Sequence, residues 1–174
     1  MPSGLVIPGP ARIRIRRDDP GTYGRYFVVR GSRNSCLITA GSEQEDLPAL
    51  VVESDLDAIL LAQELQTPAK ILSTGSASYR PSPTLVGRLK KHPFVLLCYD
   101  NDQSGKEAAR RYWLPALPNA AWSPVPSEKD PTEYFLAGHD LEEWFTASCQ
   151  AAENHLNQKL NRETPCTHHL RNRN

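Results

Sequence analysis

The sequence has no long apolar run, no paired cysteines and no excess of charge. None of its hydrophobic stretches approaches the roughly 18 residues needed to span a bilayer, and its first residues lack the basic start and apolar core of a secretory signal. The cysteines are scattered, without a Cys-x-x-Cys pair: Cys36, Cys98, Cys149 and Cys166. That spacing argues against a zinc ribbon and a disulfide framework. We therefore expect no zinc, no membrane partner and a reducing, cytoplasmic environment.

Charge is balanced overall but segregated along the chain. The 20 basic and 20 acidic residues cancel, yet residues 1–35 hold seven arginines and two aspartates. Residues 36–65 hold seven acids and no lysine or arginine. This segregation is compatible with a basic face for a polyanion beside an acidic metal pocket, and equally with an unevenly charged solvated surface.

Residues 1–46 predict a small basic β-rich segment. Isoleucine alternates with arginine from Ala11 to Arg17, as in a half-buried strand, and residues 25–30 predict the returning strand of a hairpin. Residues 36–39 are a candidate third strand. Three arginines share one face of this hairpin: Arg12, Arg14 and Arg16. That face is either a phosphate-binding surface or an ordinary solvated one.

Residues 47–137 alternate short apolar runs with helical patterns. Three strand–helix units and a fourth strand at residues 120–125 predict a parallel four-stranded sheet flanked by helices, a Rossmann-like α/β fold. Three of the apolar runs lead into Glu53, Gly75 and Asp100. Because ligands collect at the carboxyl ends of parallel strands, we expect these residues to border one site.

Asp100 and Asp102 follow a buried run and can project to the same side of its end. Two carboxylates this close repel each other unless a cation lies between them. Their oxygens suit Mg²⁺, and no histidine or cysteine lies nearby to suit zinc. The alternative is a solvated turn in which Asp102 caps the next helix.

A second candidate segment is Lys129-Asp130-Pro131, after the fourth strand. It places a lysine and another carboxylate at a further strand end. Asp130 alternatively caps a helix whose first residue is Pro131.

The last part of the chain predicts an amphipathic helix over residues 138–161 and a disordered tail over 162–174. Apolar residues at helical spacing form one stripe along that helix: Leu141, Trp144, Phe145, Ala152, Leu156 and Leu160. We expect the stripe to pack against the domain, with a partner protein as the alternative.

Four segments in this order resemble a Toprim domain, the catalytic module of DnaG-like primases, topoisomerases and some nucleases. They are Val-Val-Glu53-Ser-Asp-Leu-Asp57-Ala, Ser-Thr-Gly75-Ser, Tyr-Asp100-Asn-Asp102-Gln-Ser-Gly105 and Lys129-Asp130-Pro-Thr-Glu-Tyr-Phe. The resemblance covers roughly residues 47–137 and is closest to primases, including phage and mobile-element types. Two positions depart from it: Ser54 stands where primases usually have glycine, and Thr132 where some relatives have an acid.

The resemblance implies nucleotidyl transfer for primer synthesis on single-stranded DNA, dependent on Mg²⁺ or Mn²⁺. It implies catalysis by Glu53, Asp100 and Asp102, and metal ligation by these three with Asp130. Glu53 either ligates metal or accepts a proton from the attacking 3′-hydroxyl. Contacts to nucleotide or nucleic acid are expected from Asp57, Gly75, Lys106, Arg110, Lys129, Arg12, Arg14 and Arg16.

Two alternatives remain open from the sequence. A Toprim nuclease would use the same carboxylates to activate water, and a non-catalytic Toprim module would bind DNA or a replicative helicase. No zinc-binding template-recognition domain is present in these residues. We therefore expect nucleoside triphosphates and single-stranded DNA as ligands, and a helicase or a separate zinc-binding protein as partner.

Overall fold

The computed structural model describes residues 2–33 and 37–163. Cys36, at the start of the predicted third strand, lies outside the described residues, as does most of the predicted disordered tail, residues 164–174. Within the described chain, no helix is both long and apolar enough to cross a bilayer.

The N-terminal segment forms a three-stranded antiparallel sheet rather than a two-stranded hairpin. Its strands β1 (Gly4–Pro8), β2 (Ile13–Arg17) and β3 (Tyr26–Val28) lie in the order β1-β2-β3. The sequence analysis missed β1 because its run Gly-Leu-Val-Ile-Pro has no alternation of apolar and polar residues. In the strands of this small sheet, the buried apolar residues are Ile7 on β1 and Ile15 on β2.

The larger sheet has five strands, not the predicted four. Its members are β4 (Ile38–Gly41), β5 (Ala49–Val52), β6 (Lys70–Ser73), β7 (Val95–Cys98) and β8 (Ala120–Trp122), in the order β4-β6-β5-β7-β8. Strands β5 to β8 are parallel, and β4 joins the β6 edge antiparallel. The boundary we placed at residue 46 therefore does not separate the two sheets.

Helices cover both faces of the larger sheet. They are α1 (Asp55–Glu64), α2 (Pro83–Leu89), α3 (Gln103–Ala108), α4 (Pro131–Leu136) and α5 (Leu141–Glu163). Alternate residues of the central strands enter two separate cores, one shared with α1 and α5 and the other with α2 and α3. Burial on both faces explains the continuous apolar runs of these strands.

Helix α5 packs against the domain, as the apolar stripe predicted. Leu141, Trp144, Phe145 and Ala152 are buried in the core that contains α1. The helix continues to Glu163, two residues beyond the predicted end. Its apolar face is therefore largely covered by the domain itself.

Candidate metal centre

The topology brings four acidic side chains to one edge of the larger sheet. Glu53 directly follows β5, and Asp100 follows β7 by two residues. These strands are neighbours in parallel register, with Val52 opposite Cys98, so their carboxyl ends meet. Asp57 lies in the first turn of α1 and Asp130 caps α4. Segments that are distant in the sequence thus converge where the fold predicts a ligand site.

Three aspartates are close enough to share one metal ion. Asp57, Asp100 and Asp130 each offer an oxygen atom, and the three atoms lie within 4.8 Å of one another. Glu53 belongs to the same electrostatic cluster. Its pKa is raised to about 7, first by burial and then by the negative charge of Asp100. Burial followed by the charges of Asp130 and Asp100 raises the pKa of Asp57 to about 6, against the lowering effect of hydrogen bonds from Thr132. Without a bound cation, the Glu53 carboxyl is therefore only partly ionised near neutral pH.

Asp57 has a different place from the one expected for it. The sequence analysis assigned it to nucleotide contact, whereas the structure places it among the candidate metal ligands. Thr132 fixes it, because its hydroxyl and backbone N–H both donate to Asp57 Oδ1, at 2.5 and 3.3 Å. The threonine that departs from the family pattern is thus the residue that orients a carboxylate of the site.

Lys129 lies directly against the aspartates. Its Nζ is 2.7 Å from Asp100 Oδ2 and 3.7 Å from Asp102 Oδ2. Burial raises the pKa of Asp100, and the hydrogen bond and charge of Lys129 oppose that rise. The Asn101 backbone N–H donates to the Lys129 carbonyl at 2.7 Å, which joins the two loops that carry these residues.

Asp102 and Asp130 cap helices as well as facing the site. Asp102 Oδ1 accepts from the Gly105 N–H at 2.9 Å, and Asp130 Oδ1 accepts from the Glu133 N–H at 2.8 Å. The capping alternative for each residue is therefore realised in the structure. It leaves the second carboxylate oxygen of each aspartate for a cation, and 41% of the Asp102 side chain is exposed.

Gly105 is a site residue that the sequence analysis did not single out. A Cβ atom at this position would lie 2.1 Å from the carbonyl oxygen of Asp100, a distance that forces the backbone to move. The spacing Asp-x-Asp-x-x-Gly is the sequence signal that could have identified it. Only glycine lets the first turn of α3 pack directly on the loop that presents Asp100.

We expect Gly105→Ala to displace that loop, to weaken divalent-metal binding by about tenfold or more and to destabilise the protein by about 1–3 kcal/mol. Metal titration and chemical denaturation measure the two effects. Gly87→Ala is the matched control, because Gly87 lies in α2 and, apart from its chain neighbours and its own helix backbone, no atom of the described residues lies within 4 Å of its Cβ position. That variant should keep full metal affinity and gain slight stability. Equal behaviour of the two variants would contradict the packing argument.

An arginine-rich wall from the small sheet faces the carboxylates across a cleft of about 400 Å³. The residues of that wall are Arg14, Arg16, Arg25 and Tyr26. The guanidinium of Arg14 lies 4.1 Å from the centre of the Tyr26 ring. Arg25 and Tyr26 were missed because the sequence shows them only as the start of a strand.

Arg12 is not part of an exposed nucleic-acid surface. Its side chain is 4% exposed, and its Nη2 donates to Asp55 Oδ1 at 2.8 Å. Arg14 Nη1 donates to the other oxygen of Asp55 at 2.9 Å. Asp55 is fully buried and also accepts from Ser73 Oγ. These ion pairs fix the small sheet to the start of α1, which corrects our prediction of three equivalent arginines on one open face.

Gly75 supports the same contact. It has φ +75°, and its N–H donates to the Glu53 carbonyl at 2.7 Å. A Cβ atom here would lie within 3 Å of the Nη1 atoms of Arg12 and Arg14. Gly75 therefore allows close approach, and what approaches it in the structure is an arginine pair.

Lys106 and Arg110 are exposed and do not line the cleft. Lys106 lies on α3, and Arg110 lies in the π-helical turn Ala109–Trp113 that continues it. The structure thus leaves these two predicted nucleotide contacts outside the site.

The raised carboxyl pKa values predict how stability depends on pH. A carboxyl whose pKa is higher in the folded than in the unfolded chain contributes stability below the unfolded value and loses it as pH rises through the folded value. For Glu53 that window runs from its ordinary 4.5 to about 7, and for Asp57 from 3.8 to about 6. We expect the metal-free melting temperature to fall across this window more steeply in the wild type than in Glu53→Gln. Saturating Mg²⁺ should reduce the difference. If the melting temperatures of wild type and Glu53→Gln changed identically with pH in EDTA, this prediction would be contradicted.

Comparison with known proteins supports the domain assignment. The family described as Toprim-like matches residues 50–135. A DNA primase domain from Pseudomonas aeruginosa is 26% identical, with a TM-score of 0.58 over 80% of this chain and 46% of that one. The primase of Aquifex aeolicus, comprising zinc-binding and RNA polymerase domains, is 21% identical, with a TM-score of 0.60 over 86% and 39%. The primase fragment of the bacteriophage T7 primase-helicase protein is 17% identical, with a TM-score of 0.52 over 76% and 55%. Among curated proteins, none matches the chain.

The fold and the acidic cluster together define a Toprim-like domain at residues 50–135. It is a Toprim domain of the kind found in DnaG-like primases, which confirms the resemblance drawn from the sequence. The chain spans about half the length of the primase structures that it matches.

Proposed function

We propose that the protein is a primase-type nucleotidyltransferase that extends or starts primers on single-stranded DNA with a divalent cation, Mg²⁺ or Mn²⁺. The observation that carries the proposal is the cleft in which acids from three separate segments face a wall of arginines. The primase neighbours named above support it by fold.

The donor set fits a hard cation. The side chains that could ligate it are all carboxylates, from Glu53, Asp57, Asp100, Asp102 and Asp130. Carboxylate oxygens suit Mg²⁺ or Mn²⁺ rather than zinc. Burial, together with the charges of neighbouring aspartates, raises the pKa values of Glu53 and Asp57, so a bound cation would favour their ionised forms. When bound, a divalent cation would neutralise triphosphate oxygens and lower the barrier to attack by a 3′-hydroxyl.

The protein's own residues divide the remaining work. Asp57, Asp100 and Asp130 would hold the cation. Asp102 lies beside them, with its Oδ2 3.7 Å from Lys129 Nζ. Glu53 lines the cleft beside Asp100 and is suited to accept the proton of the attacking 3′-hydroxyl. Thr132 keeps Asp57 in place through its two hydrogen bonds.

The arginine wall is suited to bind phosphates. Arg16 and Arg25 line the cleft, are exposed, and make no ion pair with the described residues. Arg14 also lines it but is held by Asp55. Sequence-independent contacts of this kind give affinity that falls as salt rises.

Charge removal from the wall should weaken DNA binding. We expect Arg16→Ala/Arg25→Ala to lower affinity for single-stranded DNA by about tenfold at low salt. The slope of log affinity against log salt should become shallower by an amount that corresponds to roughly two phosphate contacts. Fluorescence anisotropy over a salt series measures both. Arg88→Ala, on α2, is the control, because Arg88 lies outside this cleft. An unchanged salt slope in the double variant would argue against this surface.

The decisive experiment supplies single-stranded template, ribonucleotides or deoxyribonucleotides, and Mg²⁺ or Mn²⁺, and resolves labelled products by length. New short products that require the cation and the template support the proposal. Cutting of the labelled template without synthesis would instead identify a Toprim nuclease. Cation and DNA binding without either product would identify a non-catalytic module.

Partners follow from the comparison. The bacteriophage neighbour is part of a primase-helicase, and the Aquifex neighbour includes a zinc-binding domain. We propose that this chain likewise works with a replicative helicase or a separate zinc-binding template-recognition protein, in the cytoplasm. Adding such a partner to the synthesis assay should raise the rate or narrow the choice of template.

A further inference from the structure

Lys129 is in an unusual position for a residue expected to hold phosphate. Among the described residues, it is the one cation that forms an ion pair with the carboxylates of the cleft. Its ammonium lies 2.7 Å from Asp100 Oδ2. It therefore occupies a carboxylate oxygen of a residue that belongs to the candidate metal triad.

The side chain of Lys129 can move while its backbone is held. Its carbonyl accepts from the Asn101 N–H at 2.7 Å, and its N–H donates to Glu133 Oε2 at 3.3 Å. The preceding residue, Glu128, has φ +62°, an uncommon conformation that fixes how the loop enters the site. By contrast, 49% of the Lys129 side chain is exposed. The ammonium can therefore leave Asp100 for the cleft without a change in the loop.

An ammonium and a divalent cation compete for the same negative charge. At a separation of a few ångströms two positive ions repel each other strongly in a partly buried site. The half-exposed Lys129 brings one positive charge to Asp100, whose side chain is 13% exposed, whereas a divalent cation brings two and gains from several carboxylates at once. The cation should therefore displace the lysine, and the released ammonium lies beside the space that a nucleotide triphosphate would fill.

We propose that Lys129 is a displaceable counter-ion that occupies Asp100 in the metal-free protein and is released by the incoming divalent cation to bind nucleotide phosphate. The inference rests on the proposed function, because it takes the acidic cluster as a metal centre. It makes binding of the cation and binding of the nucleotide cooperative.

Metal affinity without nucleotide gives the first test. Mn²⁺ titration followed by electron paramagnetic resonance should show that Lys129→Met binds the ion about threefold to tenfold more tightly than the wild type. Lys129→Arg, which keeps the charge, should resemble the wild type. Lys90→Met, an exposed lysine at the end of α2, should have no effect. An unchanged or weaker Mn²⁺ affinity of Lys129→Met would overturn the proposal.

Nucleotide binding gives the opposite prediction. In saturating Mg²⁺, Lys129→Met should bind a non-hydrolysable triphosphate about tenfold more weakly than the wild type, although it binds the metal better. A residue that only supports the fold would weaken both. Loss of both affinities would therefore overturn the proposal.

The wild-type protein allows a test without any variant. Amine-selective acetylation, followed by peptide mass spectrometry, should label Lys129 severalfold faster when Mg²⁺ is added, with Lys90 as the internal reference. Unchanged or slower labelling would overturn the proposal. Asp100→Asn separates the two levels of the argument. If it binds Mn²⁺ as well as the wild type, the metal centre itself is wrong. If it loses Mn²⁺ but the Lys129 variants behave like the wild type, only the counter-ion role fails.

Discussion

Asp100→Asn is expected to lower cation-dependent activity by at least about a hundredfold while the fold survives. Asp100 is the residue on which the site converges: it belongs to the aspartate triad, it contributes to the raised pKa of Glu53, and it receives the ammonium of Lys129. Asparagine has the same shape but lacks the negative charge that a hard cation requires. The loss should therefore appear in metal affinity and turnover and not in the melting temperature.

Asp102→Asn is the matched control for this prediction. Asparagine caps helices as well as aspartate does, so the hydrogen bond to Gly105 should persist. Because Asp102 lies at the exposed rim and outside the triad, we expect a smaller loss of activity. Primer synthesis and Mn²⁺ titration on both variants give the comparison. Asp100→Asn with activity close to the wild type would refute the assignment of the site.

Local sequence pattern was sufficient to predict the central part of the domain. Buried parallel strands need apolar side chains on both faces, so β5 and β7 each appear as an unbroken apolar run followed by a turn. Strand β6 keeps only the apolar pair Ile71-Leu72 between Lys70 and Ser73, before the turn at Gly75. Once the strands are parallel neighbours, their ends must meet. The proximity of Glu53 and Asp100 therefore follows from topology and could be predicted from the order of elements alone.

Contacts between distant segments could not be predicted in the same way. Asp57 appears in the sequence as an ordinary acid in the first turn of a helix, and its partner Thr132 follows 75 residues later. Nothing local distinguishes it from a solvated cap. The edge strand β4 is a similar case, because four residues do not specify which of two sheets they join.

The arginines of β2, together with Arg12 just before it, show most clearly what an alternating pattern cannot predict. Alternation correctly predicts that Arg12 and Arg14 share a face, but it does not say what covers that face. In the structure a buried carboxylate, Asp55, lies against it. An arginine-rich strand can therefore be an internal docking surface at one end and an exposed, cleft-lining surface at the other, where Arg16 stands.

The docking contact leads to the largest expected effect on stability. Asp55→Ala should reduce the free energy of unfolding by about 3–5 kcal/mol, because it leaves two guanidinium groups in a buried setting without their counter-ion. Arg12 is only 4% exposed, and its Nε already has no hydrogen-bond partner among the residues that the structure describes. Urea denaturation measures the loss.

An exposed ion pair provides the comparison for this variant. Lys91 and Glu45 pair at 3.0 Å with more than half of each side chain exposed, so Glu45→Ala should cost less than about 1 kcal/mol. If the two variants lose equal stability, burial is not the cause.

The Asp55 variant has a second expected consequence, because the same contact positions the arginine wall opposite the carboxylates. Asp55→Ala should weaken binding of single-stranded DNA even under conditions where most of the protein remains folded, whereas Glu45→Ala should leave it unchanged. The ion pairs between the small sheet and the start of α1 would then be what holds the phosphate-binding wall opposite the candidate metal centre.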